Sequence, residues 1–326
     1  MNSKSKIHLE LWQISQLSQA ALNMNCVEAC ELTDGWANTL YKIHLENGIN
    51  CVLKISPPPS CPVMRYEKDL LYTEAEVLRM LAKHGIPVPE VYAFLEANAV
   101  INHPCFFMEY IEGTTLSSLL QNTDVLAERK HEIEHNLGEL QANINNIGEN
   151  FDFWGSITGR GHRFNTWQDC FSSMIHDLIL DAEEAQSNTG FRKGYIQSRI
   201  NTHLAALDIN SQPALVLWDL HDGNIIMSEG DIRAVIDCDR SFAGDPLMEF
   251  WFRNLAGDRG ILQKSYMNHI NHRILSPLSS EVALRNKLYD LYLSLVMRIE
   301  CDFRNYADDH VSWTQNRLRE AVSALS

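Results

Sequence analysis

The chain is short of positive charge. Across 326 residues, 27 lysines and arginines stand against 42 aspartates and glutamates, a formal net charge of −15. Nucleic acid and anionic membrane surfaces are gripped through clustered Lys and Arg, so neither is expected as a main partner. No apolar run approaches the roughly 20 residues that a bilayer-spanning helix needs. The opening MNSKSKIHLELWQ also lacks the apolar core of a secretory leader. Cysteine occurs at eight positions, but not in a metal-binding pattern. Only Cys26 and Cys30 lie close together, with no second Cys or His pair to complete a zinc site. Cys51, Cys105 and Cys238 sit inside apolar strand-like runs, the usage of a protein kept in a reducing cytoplasm. Internal repeats and low-complexity tracts are missing too.

What is present is 45% hydrophobic residues, enough for one large core or two smaller ones. Apolar positions near a period of 3.6 predict a helix over 8–24. Strands are expected at Val27–Leu32, Thr39–Leu45 and Asn50–Ser56, the last two joined by the hairpin signal Asn47-Gly48. A proline-rich loop then leads to a helix over Glu67–His84, stopped by Gly85, and to strands at Glu90–Glu96 and Cys105–Tyr110. After Glu112-Gly113 the pattern turns helical, with helices expected at Thr115–Leu120, Asp124–Ile147, Trp167–Glu184 and Lys193–Leu207. Short strands over 214–237 interrupt them before helices resume at Pro246–Ala256, Ile261–Ile274, Glu281–Phe303 and Val311–Leu325. The expected fold class is α+β: a sheet-rich first domain over 1–112 and a mostly helical second domain over 113–326.

The chemistry concentrates between Leu215 and Glu249. Asp219, Asn224 and Asp237 are spaced to build a phosphoryl-transfer site: one carboxylate for the proton of an acceptor hydroxyl, then an asparagine and a carboxylate for Mg²⁺. An Asp followed five residues later by Asn occurs about once by chance in a chain this long, so context has to carry it. Asp219 and Asn224 bracket a loop between apolar runs, and a hairpin turning at Glu229-Gly230 brings Asn224 and Asp237 alongside. Lys54, inside the apolar run Cys51-Val-Leu-Lys-Ile55, is costly to bury without a partner. Glu74 on the following helix is its natural counter-ion, with Glu76 and Glu67 as rivals; Glu67, seven residues earlier, shares the face of Glu74. A metal-dependent phosphohydrolase would account for His221 but leaves Lys54 and Glu74 without a role. A non-catalytic nucleotide-binding module would not need Lys54, Asp219 and Asp237 together.

These residues sit in an ordered set of motifs: Glu74-Ala-Glu-Val-Leu-Arg-Met-Leu81, His84-Gly-Ile-Pro-Val-Pro89, Phe107-Met-Glu-Tyr-Ile-Glu-Gly113, Leu217-Trp-Asp-Leu-His-Asp-Gly-Asn224, Ile236-Asp-Cys-Asp239 and Gly244-Asp-Pro246. The set resembles the aminoglycoside phosphotransferase and choline kinase superfamily, with its two-lobed protein-kinase-like fold, over about residues 30–256. The resemblance implies Asp219 as catalytic base, Asn224 and Asp237 as Mg²⁺ ligands, and Lys54 with Glu74 as the phosphate-anchoring pair. It also implies adenine contacts from the backbone of Glu109 and Ile111, and a turn at Asp34, Gly35 and Asn38 that covers the nucleotide phosphates. ATP, or GTP, would be the phosphate donor. The acceptor would be a small molecule with a hydroxyl, an antibiotic such as an aminoglycoside or a metabolite alcohol of choline, homoserine or sugar type. A net charge of −15 leans toward a cationic acceptor. Two departures stand out: Leu217 and Trp218 replace the usual His-Gly before the base, and Asp239 replaces a common Glu.

Other polar residues have plainer readings. Asp245 before Pro246 reads as a helix N-cap, and His221 as a residue that bonds its own loop. Trp154, Trp167 and Trp251 read as core. Glu300, Asp302, Asp308 and Asp309 read as a solvated helix end.

Overall fold

The computed structural model describes every residue except 1–5, 33–37, 123–126, 193, 210, 272–279 and 326. The first helix, α1 (Leu11–Leu22), ends where Asn23 turns left-handed, and it buries Ile14 and Leu17. Next come β1 (Cys26–Leu32), β2 (Thr39–Leu45) and β3 (Asn50–Ile55), then α2 (Leu70–Lys83), β4 (Val91–Leu95) and β5 (Cys105–Glu109). Short β6 (Thr114–Thr115) and α3 (Leu116–Asn122) precede the long α4 (Ala127–Asn146). β7 (Trp154–Ser156) and β8 (Arg163–Phe164) lead to α5 (Trp167–Glu184) and α6 (Tyr195–His203). β9 (Ala214–Val216), β10 (Ile225–Ser228), β11 (Asp231–Val235) and β12 (Phe242–Gly244) follow, and α7 (Gly260–His269), α8 (Ser280–Arg304) and α9 (Asp308–Ala324) finish the chain.

These elements form two compact units, each assembled from separated stretches of chain. The first comprises Met1–Pro62, Asp69–Asp124 and Asp222–Asp239; the second comprises Val63–Lys68, Val125–His221 and Arg240–Ser326.

In the first unit, an antiparallel five-stranded sheet runs in the order β1-β2-β3-β5-β4. Alternation along β2 sends Tyr41, Ile43 and Leu45 into a core with Ile14 and Leu17, and turns Leu40, Lys42 and His44 to the other face. β3 is central and buried on both faces, so its single charge, Lys54, is almost wholly buried. A second sheet, β11-β10-β6, belongs to the same unit. The turn joining β10 to β11 has positive φ at both Glu229 (53°) and Gly230 (90°), the twist that suits a two-residue hairpin. Gly113 is needed just before β6, because a Cβ there would lie 2.5 Å from the Met227 carbonyl oxygen.

The second unit holds a four-stranded sheet, β8-β7-β12-β9, and a core built around Trp154, Trp167, Phe171, Tyr289 and Tyr292. Trp154, Trp167 and Trp251 are all buried, as their plain reading requires. Asp245 is a cap: its Oδ1 accepts the Leu247 N–H at 3.0 Å, with Pro246 in the first turn position. Its other oxygen accepts from Arg285 Nη1 at 2.6 Å and from the Tyr289 hydroxyl at 2.5 Å.

Two expectations about helices are corrected. The helix expected over Pro246–Ala256 is instead three short 3₁₀ turns, Pro246–Met248, Phe250–Phe252 and Asn254–Ala256. The chain extends at Glu249 and Arg253, between the turns, and each charged side chain there reaches buried partners that a continuous helix would deny it. Glu67 does not share a helix face with Glu74. It ends a 3₁₀ turn (Arg65–Glu67) in the second unit, α2 starts only at Leu70, and the left-handed Asp69 stands between.

Candidate active site

The first unit brings together Lys54, Glu74 and Asp237. Lys54 pairs in the sheet with Leu40 on one side and Phe106 on the other, and it is 3% exposed. Its Nζ lies 2.6 Å from Glu74 Oε2 and 2.7 Å from Asp237 Oδ1. Glu76, the remaining rival, pairs with Arg79 on the surface of α2. Burial alone would lower the Lys54 pKa, but the carboxylates of Asp237, Glu74 and Asp239 outweigh it and hold the ammonium above its ordinary range. Burial pushes the Glu74 carboxyl up to about 7, against the pull of Lys54.

Asp237 arrives at this lysine through the hairpin. The Val235 N–H donates to the Pro87 carbonyl at 2.8 Å, and the Ile236 N–H donates to the Asn224 carbonyl at 3.0 Å. The strand thus ends beside Asn224, and Asp237 itself is left-handed, with φ 59°. Asn224 is buried at the close of a 3₁₀ turn, Asp222–Asn224. Carboxylate oxygens of Glu74, Asp237 and Asp239 all lie within 4.8 Å of one another. Oxygen donors converging in this way fit a hard divalent cation such as Mg²⁺. Asp239, read from sequence only as a departure from Glu, is 8% exposed and belongs to that cluster.

Of the residues expected at the nucleotide, Asp34 and Gly35 lie outside the described residues, while Asn38 is half-buried just ahead of β2. Glu109 closes β5 and Ile111 follows it. The Glu109 N–H donates to the Glu90 carbonyl at 2.8 Å, so its backbone could serve a base only through the carbonyl. Lys42 rests 3.8 Å from the centre of the Tyr110 ring in the same segment.

Asp219 belongs to the second unit. It follows β9 through an unusual turn in which the Asp219 N–H donates to the Leu217 carbonyl at 2.8 Å, two residues back. Trp218, the central residue, has φ 64°. That geometry is the rare, strained form of a three-residue turn, and a bulky side chain in it costs on the order of 1–3 kcal/mol. A glycine adopts it without strain, which gives the usual His-Gly pattern a physical reason and makes Trp218 a notable exception.

Glu249 holds this turn from beneath, accepting the N–H of Leu217 at 3.0 Å and of Trp218 at 3.1 Å. Asn145 donates to Glu249 Oε1 at 2.9 Å and to the Leu215 carbonyl at 2.8 Å, and the Tyr266 hydroxyl donates to Asn145 Oδ1 at 2.9 Å. Burial raises the Glu249 carboxyl to about 7 despite these donors. Glu249 belongs to none of the motifs that mark the site, although an acid inside the apolar run Pro246-Leu-Met-Glu-Phe-Trp-Phe252 needs a partner as much as Lys54 does. Nothing in the sequence around Arg240 marks it either.

The Asp219 carboxylate has Arg240 Nε 3.9 Å from Oδ2 and His221 Nε2 3.9 Å from Oδ1. His221 stands edge-on to Phe250, with ring centres 5.8 Å apart. Glu300 is not a solvated helix end: it lies 3.5 Å from Arg240 Nη2 and 2.9 Å from Arg304 Nε, and its side chain is 15% exposed. Arg304 also pairs with Glu67. Asp302 pairs with Arg298, whereas Asp308 and Asp309 sit exposed in the first turn of α9, where negative charge suits the helix dipole. Among the described residues no helix is long and apolar enough to cross a membrane.

The phosphotransferase enzyme family matches residues 28–253. No curated protein sequence matches the chain. A thermostable mutant of aminoglycoside phosphotransferase APH(4)-Ia, solved with AMP-PNP and hygromycin B, shares 17% identity at a TM-score of 0.68, covering 96% of this chain and 98% of its own. A fructosamine-3-kinase homologue from Thermobifida fusca YX-ER1 shares 17% identity at a TM-score of 0.67, with the same coverages of 96% and 98%. An aminoglycoside phosphotransferase homologue from Ralstonia eutropha JMP134 shares 15% identity at 0.67, covering 98% of this chain and 97% of that one. At such identities the likeness is one of fold, and the fold is the α+β, protein-kinase-like one. The family match spans more than half of the chain: it belongs to the phosphotransferase enzyme family and is a small-molecule kinase.

Proposed function

We propose that this member of the phosphotransferase enzyme family moves the γ-phosphate of ATP to a hydroxyl of a small molecule, with Mg²⁺, in the cytoplasm. The observation that carries the reading is the buried Lys54 held between Glu74 and Asp237. Such an ammonium, fixed on a central strand by a helix carboxylate, suits anchoring of nucleotide phosphates. In this reading residues 1–112 serve the nucleotide, and residues 113–326 carry the catalytic loop, the metal ligands and the acceptor site.

Asp237 and Asn224 would hold Mg²⁺, with Asp239 beside them. When bound, the metal supplies positive charge against the phosphate oxygens. Lys54 binds the α- and β-phosphates, and Glu74 keeps its ammonium aimed. Asn38, with the turn at Asp34 and Gly35, covers the phosphates through backbone N–H groups. The carbonyl of Glu109 and the backbone of Ile111 take the base, whether ATP or GTP is the donor. Asp219 accepts a hydrogen bond from the acceptor hydroxyl and takes its proton as the oxygen attacks in line. Glu249 fixes the backbone from which Asp219 projects.

For the acceptor, an aminoglycoside antibiotic is favoured by the net charge of −15 and by the hygromycin B bound to the APH(4)-Ia relative. A metabolite alcohol of sugar type is favoured by the fructosamine-3-kinase relative, and it is the second reading. Mg²⁺-dependent ADP release, measured across aminoglycosides, macrolides, amino alcohols and ketosamines, separates them. We expect one class to stimulate turnover and Asp219→Ala to remove about 10²-fold or more of kcat while ADP still binds. A fully active Asp219→Ala enzyme would overturn the role of Asp219. Stimulation by ketosamines alone would replace the antibiotic reading.

A further inference from the structure

The residue before Asp219 is the one least suited to its backbone. Trp218 is left-handed at φ 64°, yet its side chain is only 6% exposed and sits among aromatic partners. Its indole meets Tyr66 edge-on at 6.1 Å and Tyr292 edge-on at 5.7 Å. The Arg240 guanidinium lies 5.3 Å from the Trp218 ring and 5.3 Å from the Tyr66 ring. It therefore occupies an aromatic recess within the second unit.

The far edge of that guanidinium faces Glu300 at 3.5 Å, and Glu300 is clamped by Arg304 at 2.9 Å. Arg304 in turn grips Glu67, the neighbour of Tyr66 in the chain. The circuit Tyr66, Glu67, Arg304, Glu300, Arg240 closes on itself and fixes the guanidinium from both sides. Its near edge, Nε, stands 3.9 Å from Asp219 Oδ2. We propose that Trp218 is a positioning residue for Asp219: its indole, with Tyr66, holds Arg240 so that one carboxylate oxygen of Asp219 faces the guanidinium, while the other, Oδ1, which has His221 Nε2 at 3.9 Å, is turned to the acceptor hydroxyl.

The inference rests on the reading of Asp219 as the base, and it adds a reason for a tryptophan where glycine would relax the turn. Strain kept at the residue before a catalytic group is retained when its side chain over-determines the arrangement. A guanidinium held beside rings is a directional partner, which a lysine ammonium reproduces only in charge.

The test compares the wild type with Trp218→Gly, Trp218→Phe, Arg240→Gln, Arg240→Lys and Asp219→Asn. Each is assayed for Mg²⁺–ATP turnover with the acceptor that the panel identifies, or with water as acceptor, and for ADP affinity by calorimetry. Crystal structures of the wild type and of Trp218→Gly provide a readout independent of turnover. Trp218→Gly and Arg240→Gln should each lower kcat roughly tenfold or more, the scale of a misplaced catalytic group, with KM for ATP and ADP affinity unchanged. Trp218→Phe and Arg240→Lys should fall between those variants and the wild type. In the Trp218→Gly crystal the Asp219 carboxylate should leave Arg240. Wild-type kcat in Trp218→Gly, or an Asp219 side chain that has not moved, overturns the proposal. So does a loss spread equally over kcat and nucleotide binding, the pattern of a general packing defect. If Asp219→Asn keeps full kcat, the base assignment itself falls and takes the positioning role with it. If Asp219→Asn is inactive while the Trp218 and Arg240 variants are not, only the positioning role falls.

Discussion

Nζ of Lys54 lies 2.6 Å from Oε2 of Glu74, with both side chains shut off from water. A pair of this kind is expensive to break, because removing one partner strands the other charge in a poorly polarisable interior, typically at about 3–5 kcal/mol. Lys54→Met should therefore destabilise the protein by that order and weaken nucleotide binding together. The loss should also depend on pH. Glu74 has a folded pKa raised to about 7 from an ordinary 4.5, so the folded state binds its proton more readily than the unfolded chain does between those values. Stability from this group is present in acid and lost as pH rises through that window. Urea unfolding at pH 5.5 and pH 8 should show a larger Lys54→Met deficit at pH 8. Equal deficits would mean that the pair is not the origin of the effect.

Glu249 makes a second, separable contribution of the same sign. Its folded pKa of about 7, against 4.5, makes wild-type stability fall between those values by on the order of 3 kcal/mol. Glu249→Gln removes the titration, so the fall in unfolding free energy between pH 4.5 and 7 should shrink by about that amount. The amide cannot accept both the Leu217 and the Trp218 N–H through its two ends, so kcat should fall even where the protein is folded. A slope unchanged in Glu249→Gln would count against this assignment.

The proposed metal ligands can be tested by binding alone. Asp237→Asn should abolish the Mg²⁺ dependence of ADP affinity in calorimetry and leave metal-free ADP binding near that of the wild type. Asp239→Asn should have a smaller effect if Asp239 acts beside the ion rather than on it. The reverse order would exchange their roles.

Gly138 offers a prediction whose sign runs against propensity. Alanine in a helix is ordinarily favoured over glycine by about 1 kcal/mol. In α4, however, a Cβ at position 138 would lie 2.2 Å from the Leu262 carbonyl oxygen and 2.8 Å from Ser265 Cβ, where α7 packs closely. Gly138→Ala should destabilise by roughly 1–3 kcal/mol, the range for overpacking, and lower the melting temperature. A rise in melting temperature would show that the two helices separate easily.

Most of the strand and helix pattern could be read from the sequence because local signals agreed with the final fold. Asn47-Gly48 specified the β2–β3 hairpin, and the apolar period of Trp167–Glu184 matched α5 at both ends. Lys54 announced itself by being a charge in an apolar strand, and Glu74 lay within reach on the next helix. The same logic applied to Glu249 but was masked, because its run resembled a helix opened by Asp245-Pro246. The helical period of Pro246–Ala256 is real, but buried bonds from Glu249 and Arg253 overrule it. Short strands such as β7, β8 and β12 carry too few residues for alternation to register. Arg240 was invisible for another reason: its partners Tyr66, Trp218 and Glu300 are scattered over the whole length of the chain.

The first compact unit takes its last piece, Asp222–Asp239, from beyond the whole of Val125–His221. On the ribosome, therefore, the five strands of the early sheet emerge long before the carboxylate of Asp237 exists to meet Lys54. Until then any Lys54–Glu74 pair in the nascent chain would lack its third member, and β6 would wait without β10. Ribosome-stalled chains ending at residue 124 and at residue 239 would differ in protease resistance at β3 even though that strand is complete in both. If Asp237 serves the nucleotide as proposed, the order of synthesis would make nucleotide binding a late acquisition, gained only after much of the second unit has been made.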